Sequence, residues 1–572
     1  MIYREDDLID DTPEESLLNP VPIPYETRLQ STSSVKISKS TSLSQLSFST
    51  FGLILPVVLF VALYTLPIFD LYPTEHTSLA IVISAVFMWC FDTDLNINSY
   101  IVSYIIPILA VWLRVGIDKE KGTRIPAPDL SSNFTFIFMS PEILTILGSI
   151  TLIAAIDKYK INKYFCYKIS TVLQPYPRII LFSFMLMNAI FGFLFSTIAS
   201  TTLFVSLAIS IIRSLDANDN FSKALLLGIA WSGNCSSLLS IHLNNSLPIS
   251  KLEYFIYAMP SAIIICSIEC FFLMKVFKLR RRKIILSKAS RDLNLNGNLV
   301  AQEEGNSDEK VKIQLKRRLQ KSESANNLKK QPSNLPTFYY NSNNDSSWEF
   351  NHYLVIVIIA VLTFFLTISN SLKFVGHDGI ISLLSIVLIF GCGILTTNEF
   401  NTLNWSTISI AGGGLALCEV MKQSGLFELL FHLIFTKIDH LTCLSDFECA
   451  FKNNRLFQRK GFREWLTTVL YLVVFSVFSS FFNDKNYMID KINGLWSGSP
   501  IIISVSLMMV NVAQLLPVST FSNLLVMSVV NEETKEPILS GSTFMKYGIA
   551  SEFISIAVLS TLGYYLAYSL EL

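Results

Sequence analysis

The chain has 572 residues, of which 51% are hydrophobic and only 15% charged, with 42 phenylalanines and a formal net charge of zero. Such a balance excludes a set of ordinary soluble domains as the main architecture and offers no global field for nucleic acid; a bilayer is the expected solvent. Nine cysteines lack the paired spacing of a zinc site, so most are expected to be packing residues, and Cys443 and Cys449 in a polar loop either pair in an oxidising lumen or stand as idle thiols.

Residues 1–50 are polar, with eight acidic residues and a Ser/Thr-rich run at 31–49. They read as a disordered cytosolic tail without a cleavable signal peptide. Crossing about 30 Å of hydrocarbon takes roughly 20 apolar helical residues. Candidate spans cover 51–69, 78–91, 98–117, 133–156, 222–249, 254–277, 353–372, 379–396, 404–421 and 548–568. With two composite regions, the expectation is an all-α polytopic membrane protein of about 11 spans. A first membrane repeat occupies 51–277, a second 351–572.

Between them lies 278–350, with fifteen Lys and Arg from Lys278 to Lys330. Arg280, Arg281, Arg282 and Lys283 directly follow a span, so the positive-inside rule makes this linker and the N-terminus cytosolic. Lys158, Lys160, Lys163 and Lys168 fall on the same side, and the Asn133-Phe134-Thr135 sequon on the other.

From Arg178 to Arg213 run 34 residues without a charge, too many for one straight span and too few for two spans with an outside loop. A re-entrant hairpin fits, its midpoint at the hydroxyl-rich 196–202. Serine and threonine in spans also bond simply to helix carbonyls, which is the bland alternative. After this hairpin comes a span interrupted by Trp231-Ser232-Gly233-Asn234-Cys235-Ser236-Ser237 and then by residues 242–248, read as a broken helix. A second interruption stands at Asn511 to Asn523, with Pro517 at its centre. Broken helices expose N–H donors and positive dipole ends that hold an oxyanion without a buried cation. The two halves echo each other: Gly148 with Ile161 thirteen residues on matches Gly413 with Leu426, and Ser196 corresponds to Ser480. Similar offsets in one order suggest inverted repeats with a site at their interface.

Asp157, His242, Glu269, Glu419 and Glu552 lie in or near spans, where ionisable groups are expensive. Asp157 and Glu419 sit near helix ends, where solvation explains them; His242 is either a coupling-proton carrier or a packing histidine. No Ser-His-Asp order, paired carboxylates or phosphate-cradling glycine loop supports an enzyme.

The stretches MSPEILTILGSITLIAAIDKY at 139–159, GIAWSGN at 228–234, GCGILTTNEF at 391–400, LPVSTFSN at 516–523 and GSTFMKYGIASEFI at 541–554 resemble the divalent anion:sodium symporter family, most of all its fungal low-affinity phosphate transporters. The SPX domain of some fungal relatives is not expected. The resemblance implies a scaffold domain, a transport domain with two hairpins, a homodimer and elevator-type alternating access. It implies substrate and sodium at Ser-Asn-Thr-like hairpin tips; Ser196-Thr197-Ile198 and Ser480-Phe481-Phe482 stand there instead, departures that leave sodium coupling an open expectation. No cofactor is expected. The reading is a secondary transporter of phosphate or a similar oxyanion, with a transport-impaired sensor or scaffold, or a carrier of sulfate or dicarboxylates, as alternatives. Its site is assigned to Ser196, Thr197, Ser200, Thr201, Asn234, Ser236, Ser237, Ser480, Pro517, Ser519, Thr520 and Asn523.

Overall fold

A computed structural model describes residues 57–69, 71–90, 99–118, 121–162, 164–165, 176–213, 215, 219–239, 251–279, 285–287, 337–339, 350–368, 377–442, 460–481, 485, 487–488, 490–491, 500–531 and 537–569. The 1–50 tail, most of the 278–350 linker, residues 242–248 and Cys443 and Cys449 lie outside the described residues.

The described chain is helical almost throughout. In the first half α1 spans Pro73–Cys90, α2 Ser99–Trp112, α3 Ala127–Ile137, α4 Pro141–Lys158, α5 Pro177–Leu194, α6 Thr197–Ile212, α7 Asn220–Leu239 and α8 Lys251–Val276. The linker contributes strands β1 (Ile285–Ser287) and β2 (Thr337–Tyr339), paired in parallel. In the second half α9 spans Phe350–Ile368, α10 Asp378–Gly391, α11 Thr397–Asn401, α12 Trp405–Gln423, α13 Leu426–Thr442, α14 Lys460–Phe481 and α15 Pro500–Asn511. A 3-10 turn at Pro517–Ser519 leads to α16 (Phe521–Met527), and α17 (Gly541–Val558) runs through a π-helical turn into α18 (Tyr564–Ser569).

Among the described residues, six helical runs are long and apolar enough to cross a membrane: Ala127–Lys158, Pro177–Leu194, Tyr254–Val276, Phe350–Ile368, Gly461–Phe481 and Gly541–Ser569. Four shorter apolar helices accompany them, at Tyr100–Trp112, Thr197–Ile212, Asp378–Gly391 and Pro500–Asn511. Apolar side chains face outward as well as inward. On α8, Ile256, Ile263 and Phe271 are exposed while Tyr257, Ile265 and Leu273 are buried, and only four of the nineteen residues of α9 are buried. Exposed apolar surface on this scale is what a hydrocarbon solvent accepts and water does not. The protein is thus an all-α polytopic membrane protein.

Local sequence sets the helix ends. Pro141 and Pro177 occupy first-turn positions, where a missing N–H costs nothing. Ser140 caps α4 by accepting from the Ile143 N–H, and Ser540 caps α17 through the Thr543 N–H at 3.2 Å. The expected span at 133–156 is therefore two helices, parted at 138–140.

The two halves exchange partners. Helix α2 of the first half packs along α12 of the second, while α10 of the second packs along α4 of the first. The contacts repeat in detail: a Cβ on Gly413 would fall 2.4 Å from Ser103, and one on Gly148 would fall 2.6 Å from the Ser382 carbonyl oxygen. These are the two glycines whose spacing indicated a repeat, and each sits where two helix backbones touch. Tyr104 and Ser409 share a 2.7 Å hydrogen bond across the first seam, and Ser385 reaches the Gly148 carbonyl at 3.4 Å across the second.

Replacing Gly148 or Gly413 by Val is expected to force these helices apart and cost about 1–3 kcal/mol through overpacking. Gly461→Ala, whose added Cβ meets no described atom outside its own helix within 4 Å, is expected to be neutral or slightly stabilising. Thermal unfolding of the detergent-solubilised variants followed by size-exclusion chromatography checks the contrast.

Candidate functional site

Helices α5 and α6 form the hairpin read from the uncharged run. They are joined by Phe195 and Ser196, and they pack back on each other through the edge contact of Phe184 with Phe204, ring centroids 5.7 Å apart. Ser200 donates to the Asn188 side-chain oxygen at 2.7 Å, which ties the arms together one turn from the tip. Asn188 in turn donates to the Ile229 carbonyl and to Ser232 Oγ, both at 2.9 Å, fastening the hairpin to α7.

The interruption expected at Trp231 to Ser237 is not a break: α7 runs unbroken from Asn220 to Leu239. Its hydroxyls are satisfied within the helix, Ser232 by the Ile229 carbonyl, Ser236 by that of Gly233 and Ser237 by that of Asn234, at 3.1, 2.7 and 2.7 Å. Gly233 serves approach rather than bending. A Cβ there would stand 2.6 Å from Ser522 Oγ and 2.8 Å from Thr201 Oγ1.

The second interruption is a true break. Helix α15 stops at Asn511, the chain passes through a turn and bends to Leu516, turns again through Pro517–Ser519 and restarts at Phe521 with Thr520 as N-cap, its side chain accepting from the Asn523 N–H at 3.2 Å. Proline has no N–H to give the ladder, so carbonyls upstream of it need other donors. Fully buried Asn523 supplies them. Its Nδ2 lies 3.2 Å from the Ala513 carbonyl, 3.1 Å from that of Leu516 and 3.0 Å from Ser519 Oγ. Asn234 of α7 donates to Ala513 at 3.2 Å and to Asn523 Oδ1 at 3.0 Å, and Ser237 donates to the Asn511 carbonyl at 3.0 Å.

Residues assigned from both halves thus meet in one buried seam of neutral groups. Thr201 Oγ1 lies 3.2 Å from Ser522 Oγ, and Thr197 Oγ1 lies 3.1 Å from Ser236 Oγ. Pro517, Ser519 and Thr520 line the break itself. Among the described residues Ser480 is not hydrogen-bonded into the seam; it is buried in α14 and donates to the Ser476 carbonyl at 2.8 Å, and residues 482–484 lie outside the described residues. Sequence reading missed Asn188, Ser522 and Gln514. Asn188 stands in an otherwise apolar arm, where a lone carboxamide is itself the signal.

Counting donors separates two regions. Around the break, the carboxamide hydrogens and the Ser519 hydroxyl are spent on carbonyls, so that network braces the backbone. At the hairpin tip the first-turn N–H groups of Thr197, Ile198 and Ala199 have no partner within α6, and Ser196 as N-cap residue makes no side-chain capping bond. The positive end of a sixteen-residue helix therefore opens beside Thr197 and Ser236. Elsewhere, Asp157 pairs with Arg213 and accepts from Asn162, and Glu419 accepts from Gln423 at 2.6 Å, as suits helix ends. Among the described residues no group of three or more His, Cys, Asp or Glu is placed to hold a metal ion.

The family model described as CitMHS, citrate transporter, matches residues 85–484. An uncharacterized transporter of Schizosaccharomyces pombe is 24% identical over 525 residues, covering 89% of this chain and 52% of that protein. An inorganic phosphate transporter of Saccharomyces cerevisiae is 23% identical over 378 residues, 64% of this chain and 35% of that protein, and a low-affinity phosphate transporter of the same yeast is 21% identical over 376 residues, 64% and 36%. The chain therefore spans about half, or about a third, of the length of these fungal proteins.

Removing the brace at the break should cost more than removing a cap. Asn523→Ala removes one donor from each of the Ala513 and Leu516 carbonyls and the Oδ1 acceptor that Asn234 uses, and is expected to destabilise by about 1–3 kcal/mol, whereas Thr520→Val, which loses an N-cap, is expected to cost about 1 kcal/mol. Thermal midpoints in detergent, ranked wild type, Thr520→Val, Asn523→Ala, test the order.

Proposed function

Given that the chain belongs to the citrate transporter family, we infer that it is a secondary active transporter whose substrate is inorganic phosphate or a similar small oxyanion. The observation that carries the reading is the uncapped N-terminus of α6, opening onto Thr197 and Ser236 within a membrane helix bundle. Backbone N–H donors, hydroxyls and a positive dipole end are the groups that hold an oxyanion where a buried Arg or Lys would be costly. Two relatives named as phosphate transporters favour phosphate, and the neutral seam suits a small tetrahedral anion better than the several carboxylates of citrate, which call for cationic partners. Site residues from both halves, on a hairpin held to a broken helix, support an elevator-type movement of the hairpin unit, and a homodimer accompanies that mechanism in the resemblance. The alternative of a transport-impaired sensor is less favoured, since the seam side chains Thr201 and Ser522, and Asn234 and Asn523, pair across the two halves without distortion.

The test is uptake of labelled phosphate by purified full-length protein in liposomes. Uptake competed weakly by sulfate and citrate is the expected result; absence of uptake under sodium, proton and exchange gradients alike overturns the reading. Thr197→Val and Ser236→Ala should each weaken phosphate by about 3- to 30-fold, the equivalent of one lost hydrogen bond.

A further inference from the structure

Three helices bring four cations together at one end of the bundle. Helix α8 closes with Lys278 in the left-handed conformation, φ 48°, and with the Leu279 N–H bonded to the Met274 carbonyl at 3.2 Å. That turn buries Phe277 and Leu279 and leaves Lys275 and Lys278 exposed. The two buried residues are held from neighbouring helices. Arg178, in the first turn of α5, donates to the Leu279 carbonyl at 2.7 Å, and Tyr547 of α17 packs on the Phe277 ring with centroids 4.8 Å apart. Next to Tyr547 stands the exposed Lys546, its ammonium 5.8 Å from the Tyr547 ring centre. Arg178, Lys275, Lys278 and Lys546, from distant parts of the sequence, thus gather around the short tail of α8.

No acid of the described protein neutralises them. Among the described residues none of the four forms an ion pair, whereas Lys121, Lys158, Arg213 and Lys491 each do. Arg178 uses only its Nε, and no described residue takes its terminal N–H groups. Like charges gathered this way repel unless an anion enters among them. Topology does not account for the arrangement. The positive-inside rule is served by Arg280-Arg281-Arg282-Lys283 in the linker. It requires neither Arg178 nor Lys546, and Lys546 lies inside the apolar run Gly541–Ser569, where an ammonium without a counter-ion is costly. The surroundings indicate which anion fits. Exposed Ile264, Ile268, Phe271 and Val276 of α8 lead up to the cations, and the Lys275 ammonium lies 4.7 Å from the Phe271 ring centre. Such a face meets acyl chains, and ammonium groups at its end reach the level of phospholipid headgroups.

We propose that Arg178, Lys275, Lys278 and Lys546 bind the headgroup of an anionic phospholipid, taking its phosphate among the four cations while its acyl chains lie along the exposed face of α8. Arginine meets a phosphate through its planar fork and lysine as a point charge, so the set supplies both kinds of charge-assisted contact. Free inorganic phosphate offers the same oxygens but has no use for the apolar face, which favours the lipid. Because Arg178 opens the first arm of the hairpin and Lys546 belongs to α17, a bound headgroup ties the base of the hairpin to α8 and α17. The site stands whether or not the protein transports phosphate.

The test is a binding titration of the purified full-length protein in neutral detergent, by microscale thermophoresis, with dioctanoylphosphatidylglycerol and dioctanoylphosphatidylcholine. The anionic lipid is expected to bind about tenfold or more tightly than the zwitterionic one, and to lose affinity as salt rises. K275Q/K546Q, which removes no hydrogen bond of the described residues, should weaken phosphatidylglycerol by about 25-fold, or about fivefold per charge, while K275R/K546R retains it. K278G removes a charge and puts glycine where the backbone is left-handed. It is expected to be no less stable than wild type in a thermal melt and still to bind about fivefold more weakly, which separates loss of the site from loss of the fold. Equal binding of the two lipids, or K275Q/K546Q and K278G that bind as wild type does, overturns the proposal. Displacement of the bound lipid by inorganic phosphate at constant ionic strength also overturns it and assigns the cations to a free anion.

Discussion

A backbone carbonyl in hydrocarbon has no water to turn to, and the carboxamide of Asn523 is what allows this protein to interrupt a helix there. Between Asn511 and Phe521 the chain abandons the helical ladder, and Pro517 ensures that it cannot be resumed early. Asn523 gathers the carbonyls of Ala513 and Leu516 with the hydroxyl of Ser519, and Asn234 reaches across from the other half to share the Ala513 carbonyl. Without those donors the break would carry a cost of a few kcal/mol per group. With them it becomes a fixed, non-helical wall, and the hairpin, α7 and the buried acids all take their positions from it.

That wall has two faces of different chemistry. Toward the hairpin it meets hydroxyls, an amide and a helix N-terminus, all neutral donors suited to an anion that must later leave. Toward α8 and α17 it meets the buried carboxyls of Glu269 and Glu552. The separation is one peptide unit thick, the Ala513 carbonyl bonding to one side and the Gln514 N–H to the other. Direct pairing of an oxyanion with ionised Glu would repel it.

How much of this was legible in the sequence depended on whether a residue's role is local. The hairpin was legible, because 34 uncharged residues with hydroxyls in the middle admit few alternatives. So was the break at Pro517, since proline's missing N–H acts in any context. The supposed break at 231–237 was misread. Glycine, asparagine and serine there look like helix breakers, yet the serines bond to their own helix and Gly233 exists to admit Ser522 and Thr201, partners nearly 300 and about 30 residues away. Spacing alone cannot distinguish a glycine that bends a helix from one that lets another helix in. Glu269 and Glu552 were legible as expensive residues, but the Ser551 hydroxyl and Gln514 N–H that they accept from were not, because nothing local to either acid specifies its partner. The glycine offset likewise revealed a repeated unit without revealing that the repeats exchange partners.

That exchange, α2 against α12 and α10 against α4, governs how the molecule can be made. When α2 leaves the ribosome, the glycine face that will cover Ser103 and Tyr104 is still roughly 300 residues from being synthesised, which at about 5–20 residues per second is some 15–60 s of elongation. Throughout that interval α2, with a proline at 107 and hydroxyls on the face meant for α12, must be held by lipid, by neighbouring helices or by the insertion machinery. Only arrival of the second half, across the long basic linker, closes both seams, so assembly of this bundle is a late event committed by the last third of the chain.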